Sequence, residues 1–124
     1  MNATEILKYD IANNHPPEDR ALVTRIIDNE LNSGASVVRE GNTIFIFKKI
    51  NPETIEAHSF NADTAEKLVK NIKAFLKLCK KMGFKYVQTD FEDPKMARLL
   101  ASFRPEYNVK TKRIDHGYRA LVEV

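Results

Sequence analysis

The sequence predicts an α/β (α+β) protein, a three-layer α/β/α arrangement with helices on both faces of a central mixed, mostly antiparallel sheet. Three observations predict it. A long amphipathic stretch at 64–82 lies between two strand-like stretches, 54–60 and 84–91. A strand–helix–strand unit of this kind sets its strands parallel through a right-handed crossover. Ile44-Phe45-Ile46-Phe47 is apolar on both strand faces, as in a central strand with something packed on each side. The element order is two helices, three strands, helix, strand, helix, two strands, and it calls for a mixed sheet covered by helices. With 124 residues, one domain spanning 1–124 is expected.

Each element has a local reason. Residues 3–12 read as a helix with Ile6, Leu7 and Ile11 on its apolar side, broken by Asn13-Asn14-His15-Pro16-Pro17. A second helix opens at Pro17 or Glu18 and runs to Asn32, with the stripe Leu22, Val23, Ile26, Ile27 and Leu31. Asn32-Ser33-Gly34 ends it. Strands follow at 35–39, 43–50 and 54–60, joined by the turns Glu40-Gly41-Asn42 and Asn51-Pro52-Glu53. The long helix carries Ala65, Leu68, Val69, Ile72, Phe75, Leu76 and Cys79 on one stripe and six lysines opposite. Asp63 and Glu66 form a D-x-x-E start, in which Asp63 caps a first-turn amide; Gly83 is the stop. After the strand 84–91, Pro94 opens a helix to Phe103 that buries Met96, Leu99, Leu100 and Phe103. The strands 107–114 and 118–124 close the chain as a hairpin around Asp115-His116-Gly117.

Composition excludes several classes. No apolar run approaches membrane-spanning length, so no membrane partner is expected. The first residues lack the basic and apolar regions of a secretion signal. Cys79 is the only cysteine, which rules out an internal disulfide and favours the cytoplasm; on the buried stripe it is more a core residue than a reactive thiol. His15, His58 and His116 show no paired ligand spacing, so no metal site is expected. The net charge is +3, with acids in excess before Gly34 and bases gathered on the long helix and at 104–119. That asymmetry suits an anionic ligand, although a solvated lysine face explains it too.

The element order resembles the GNAT-type acyltransferase superfamily, with that family's first strand missing or hidden before residue 10, and the resemblance spans nearly the whole chain. Within it the chain looks most like short, divergent GNAT-like proteins of bacteriophages. The resemblance implies an N-acyltransferase that uses acetyl-CoA (acyl-CoA) as co-substrate and acts on an amine-bearing small molecule or protein. The setting would be the cytoplasm, or the host cytoplasm or virion for a phage protein. It further implies that strands 54–60 and 84–91 splay apart at their ends. The pantetheine arm would then pair with the backbone of His58, Ser59 and Phe60. The diphosphate would sit on the amides around Asp63, Thr64 and Ala65, where a helix N-terminus favours anions. The sequence departs from the family in three places. The loop Asn61-Ala62-Asp63-Thr64-Ala65 lacks glycine, Leu100 replaces an acidic tyrosine on the later helix, and Arg104-Pro105 replaces a glycine–aromatic pair.

Acyl transfer needs a base for the amine and donors for the oxyanion. Glu56 and His58 fall on one strand face by alternation, and an imidazole exchanges protons near neutral pH. Asp90, in the acidic run with Glu92 and Asp93, is the candidate for a cationic amine substrate. Each has a plain structural counterpart: a hydrogen-bonded histidine, a polar strand residue, a helix cap. Two other function classes remain. One is a catalytically degenerate GNAT-like interaction or phage assembly protein, for which a homo-oligomer is one expected form. The other is a nucleic-acid-binding protein that uses the lysine helix or the bases and aromatics Tyr107, Lys110, Lys112, Arg113, Tyr118 and Arg119.

Overall fold

Strand β2 (Thr43–Asn51) explains the first half of the architecture. In the computed structural model, which describes Met1–Val124, residues 43–47 are all buried. Ile44 and Ile46 join Ile6, Ile27 and Phe60 in one cluster, edged by Leu7, Ile11 and Val23. Those contacts come from α1 (Ala3–Asn14) and α2 (Arg20–Asn32). Phe45 and Phe47 face the other way. Phe45 stacks on Phe75 of α3 (Ala65–Lys81), ring centroids 4.2 Å apart and 2° from parallel. Phe47 meets Phe75 edge-on at 5.4 Å. The doubly apolar run therefore has helices on both faces, as its composition requires.

The remaining strands are β1 (Ser36–Glu40), β3 (Thr54–Asn61), β4 (Tyr86–Phe91), β5 (Asn108–Ile114) and β6 (Gly117–Glu123); α4 spans Pro94–Ala101. They form a six-stranded mixed sheet in the order β1-β2-β3-β4-β6-β5. β3 and β4 are parallel, and β1/β2, β4/β6 and β5/β6 are antiparallel. Chain contacts divide into two compact units: Met1–Lys48 with Ser59–Phe75, and Lys49–His58 with Leu76–Val124. In the second unit α4 packs on β5 and β6. Its core is Ile55, Leu76, Cys79, Val87, Leu100, Phe103, Val109, Ala120 and Val122. Cys79 is fully enclosed there, and burial pushes its thiol up to about 12. No helix is long and apolar enough to cross a membrane.

Several local expectations change. The first helix continues to Asn14 and starts with a capping box, in which Asn2 accepts from the Glu5 amide and Glu5 from the Asn2 amide. The second helix begins as a 3-10 turn, Pro17–Asp19. Its stripe is only half used: Ile27 is buried, while Leu22, Ile26 and Leu31 are exposed. The cap of α3 is Thr64, not Asp63. Leu68 N–H donates to the Thr64 carbonyl, and Lys67 N–H reaches Thr64 Oγ1 at 3.4 Å. Asp63 is instead engaged by one partner in the β1–β2 turn and one further along α3. The Asn42 amide and the Asn71 side chain both donate to its Oδ2 at 2.8 Å.

Candidate functional site

The loop between β3 and α3 is built without glycine by a chain of side-chain amides. Asn61 Oδ1 accepts from the Asp63 amide at 3.0 Å and from Thr43 Oγ1 at 2.7 Å, and Asn61 Nδ2 donates to the Asp63 carbonyl at 2.9 Å. Asn71 Nδ2 donates to Thr43 Oγ1 at 2.9 Å as well as to Asp63. The Asn61 amide donates to Asp10 Oδ1 at 2.9 Å, and Asp10 is a buried carboxylate on α1. Side-chain oxygens and amides thus satisfy a turn that glycine would otherwise ease. The hydrogen bond from the Asn42 amide, aided by Asn71 and the charge of Lys67, holds the Asp63 carboxyl below its usual range. With Asp63 occupied, the amides of Ala65 and Glu66 open the helix with no intrahelical acceptor. Ser59 is half-buried and Phe60 buried on the same strand end.

The titratable candidates lie in the second unit. Glu56 and His58 share a face of β3, with His58 Nε2 3.3 Å from Glu56 Oε1 and both side chains half-buried. Asp90 on β4 is not free. Arg119 of β6 donates to it twice, Nε to Oδ1 at 2.8 Å and Nη2 to Oδ2 at 3.0 Å. The antiparallel register places Asp90 directly opposite Arg119. The bonds and charge of Asp90, with a smaller contribution from Glu56, push the Arg119 guanidinium further up. Arg119 is therefore within electrostatic reach of Glu56 as well as Asp90.

The parallel ladder between β3 and β4 is short. It covers Thr54↔Tyr86, Ile55↔Val87 and Glu56↔Gln88. Ala57 and His58 on β3, and Thr89 and Asp90 on β4, lie beyond it although both strands continue. In the terminal hairpin, Tyr118 stacks on Phe91 at 5.7 Å and carries the Arg113 guanidinium over its ring. Tyr107 leans on Phe103. Lys110 and Lys112 are exposed. Leu100 is buried, and the Arg104–Pro105 peptide is cis.

Sequence reasoning placed Glu56 and His58 together because alternation is local. It missed Arg119 as the partner of Asp90, and Asn42 and Asn71 as the partners of Asp63. The only available signal for Arg119 was the predicted hairpin, which does not say what strand it joins.

No protein-family model and no curated protein matches the chain. Several solved proteins have similar structures. One is an acetyltransferase of the GNAT family from Staphylococcus aureus Mu50, at 12% identity and TM-score 0.58, covering 99% of this chain and 95% of that one. Another is yncA from Salmonella typhimurium, solved with its cofactor acetyl-CoA, at 16% identity and TM-score 0.54, covering 98% and 84%. A third is a GNAT superfamily phosphinothricin acetyltransferase from Sinorhizobium meliloti in complex with acetyl-CoA, at 13% identity and TM-score 0.53, covering 98% and 80%. At these identities the likeness shows the fold: the chain has the GNAT fold.

Proposed function

We propose that the chain is a GNAT-type N-acyltransferase that moves an acyl group, acetyl in the simplest case, from acyl-CoA to an amine. The observation that carries this reading is the early end of the β3–β4 ladder, just ahead of the turn into α3. Main-chain groups of an extended strand need partners. An extended amide chain such as pantetheine matches the backbone of His58, Ser59 and Phe60. The diphosphate falls to the open amides of Ala65 and Glu66, with Thr64 as the cap. Asp63 frames this turn without filling it, because its Oδ2 serves Asn42 and Asn71.

The chemistry follows from the pair on β3. Glu56 holds the Nε2–H of His58, which leaves Nδ1 as the basic nitrogen. The neutral amine attacks the thioester carbonyl carbon. A C–N bond forms, the C–S bond breaks, and the amine proton passes to His58 while CoA departs as thiolate. Asp90 keeps a second lone pair on each oxygen despite Arg119, and those attract a cationic amine, which sheds one proton to solvent before it attacks. A thiol loses its proton at about pH 8.5, so the thiolate leaves without an acid at the position of Leu100. The burial of Leu100 nonetheless favours a second reading, a GNAT-like scaffold that binds partners without transfer.

Isothermal titration with acetyl-CoA tests the first reading. The expected affinity is on the order of micromolar, abolished by Ala65→Glu. His58→Ala should retain binding and slow thiol release with an amine panel by roughly 10²-fold or more. No heat at about 1 mM acetyl-CoA would leave the scaffold reading.

A further inference from the structure

A separate cleft lies within the first unit, between the β1–β2 turn and the flank of α3. Its volume is ≈ 340 Å³, and Arg39, Asn42, Asp63, Lys67, Lys70 and Asn71 line it. Three cations face one carboxylate there. That carboxylate is already committed, since Oδ2 of Asp63 takes both the Asn42 amide and Asn71. Arg39 is positioned before any ligand arrives. Its Nε donates to the Gly41 carbonyl at 2.8 Å and its Nη2 to Asn42 Oδ1 at 3.0 Å. Two of its five N–H groups are used, and the rest stay open. Lys67 and Lys70 sit one helical turn apart on one side of α3, both exposed, and neither forms an ion pair.

Like charges at this spacing repel by a few tenths of a kcal/mol, and a concave wall concentrates their field. An anion relieves both effects. A rigid guanidinium fork facing two mobile ammonium groups suits tetrahedral oxygens carrying two or more negative charges. Gly41 keeps the cleft narrow. Its φ is +55°, and an added Cβ would stand 2.9 Å from Asp63 Oδ2 and 3.0 Å from Asn71, so only glycine lets the turn come this close.

We propose that this cleft binds the phosphate group of a small molecule, a phosphomonoester or a diphosphate. The assignment does not depend on the acyl-CoA reading. The two share only Asp63, and the helix amides given to CoA do not line the cleft.

Amide NMR of the full chain tests this with inorganic pyrophosphate, against sodium chloride at equal ionic strength. Saturable shifts at Gly41, Asn42 and the Asn71 side chain are expected, with Kd on the order of 1 mM or tighter. The double variant Lys67→Gln/Lys70→Gln, changed only at exposed positions, should weaken that binding about tenfold or more. Its acetyl-CoA affinity should not change. Non-saturating shifts, shifts reproduced by chloride, or shifts that survive in the double variant would each overturn the proposal. So would a parallel loss of acetyl-CoA affinity, because the cleft would then be part of the CoA site. Saturable pyrophosphate binding with no acetyl-CoA binding at all would sink the transferase reading and leave the cleft standing.

Discussion

Asp63 shows how a single carboxylate escapes its local pattern. Asp63-Thr64-Ala65-Glu66 has the spacing of a helix start, yet the cap falls to Thr64 while Asp63 reaches back to Asn42, twenty-one positions earlier. Sequence reasoning sees the local option, and only the fold supplies the distant amide. The consequence is measurable in acid. Hydrogen bonds, first that from the Asn42 amide, hold the folded pKa of Asp63 below its ordinary value. Its contribution is therefore complete above the unfolded value and lost as pH falls through the folded one. Asp63→Asn should cost about 1 kcal/mol at pH 7, a modest figure for a partly exposed group. The gap to the parent should narrow progressively as thermal melts are run at lower pH through the acid range. A gap that persists in strong acid would mean the carboxylate charge is not what matters.

Elements were more legible than residues. Periodicity placed α3 and β2 to within a residue or two, because each buries a stripe that its sequence spells out. Glu56 and His58 met for the same reason, since alternation along one strand needs no tertiary information. Pairing between strands was not legible. That β6 lies against β4, bringing Arg119 to Asp90, depends on register, and the residues of one strand do not encode it. Amphipathicity also overstated α2, whose Leu22 and Ile26 remain in solvent. The contacts of Phe75 with Phe45, face to face, and with Phe47, edge-on, anchor α3 on the sheet. Phe75→Ala should destabilise the protein by roughly 3–5 kcal/mol, read as a lower urea midpoint. A loss under about 1 kcal/mol would show that α3 is anchored elsewhere.

For the whole molecule, the order of elements predicted the sheet and its helical cover, and the solved GNAT structures share that fold at low identity. The turn before α3 is braced by side-chain amides, and it is at such turns that ligand choice is decided. The buried thiol of Cys79 has a further use. With its sulfur enclosed and its pKa at about 12, the native chain should be silent to a thiol dye at pH 8. Labelling should then proceed only at the rate at which the fold opens, so the lone thiol serves as a built-in clock for unfolding. Prompt labelling in native buffer would contradict the enclosure. Above pH 9 the unfolded thiol ionises first, so the clock should run faster there as stability falls. The same enclosure makes the protein indifferent to oxidants that join exposed thiols, and it leaves any CoA-derived sulfur as the sole signal in a thiol-release assay.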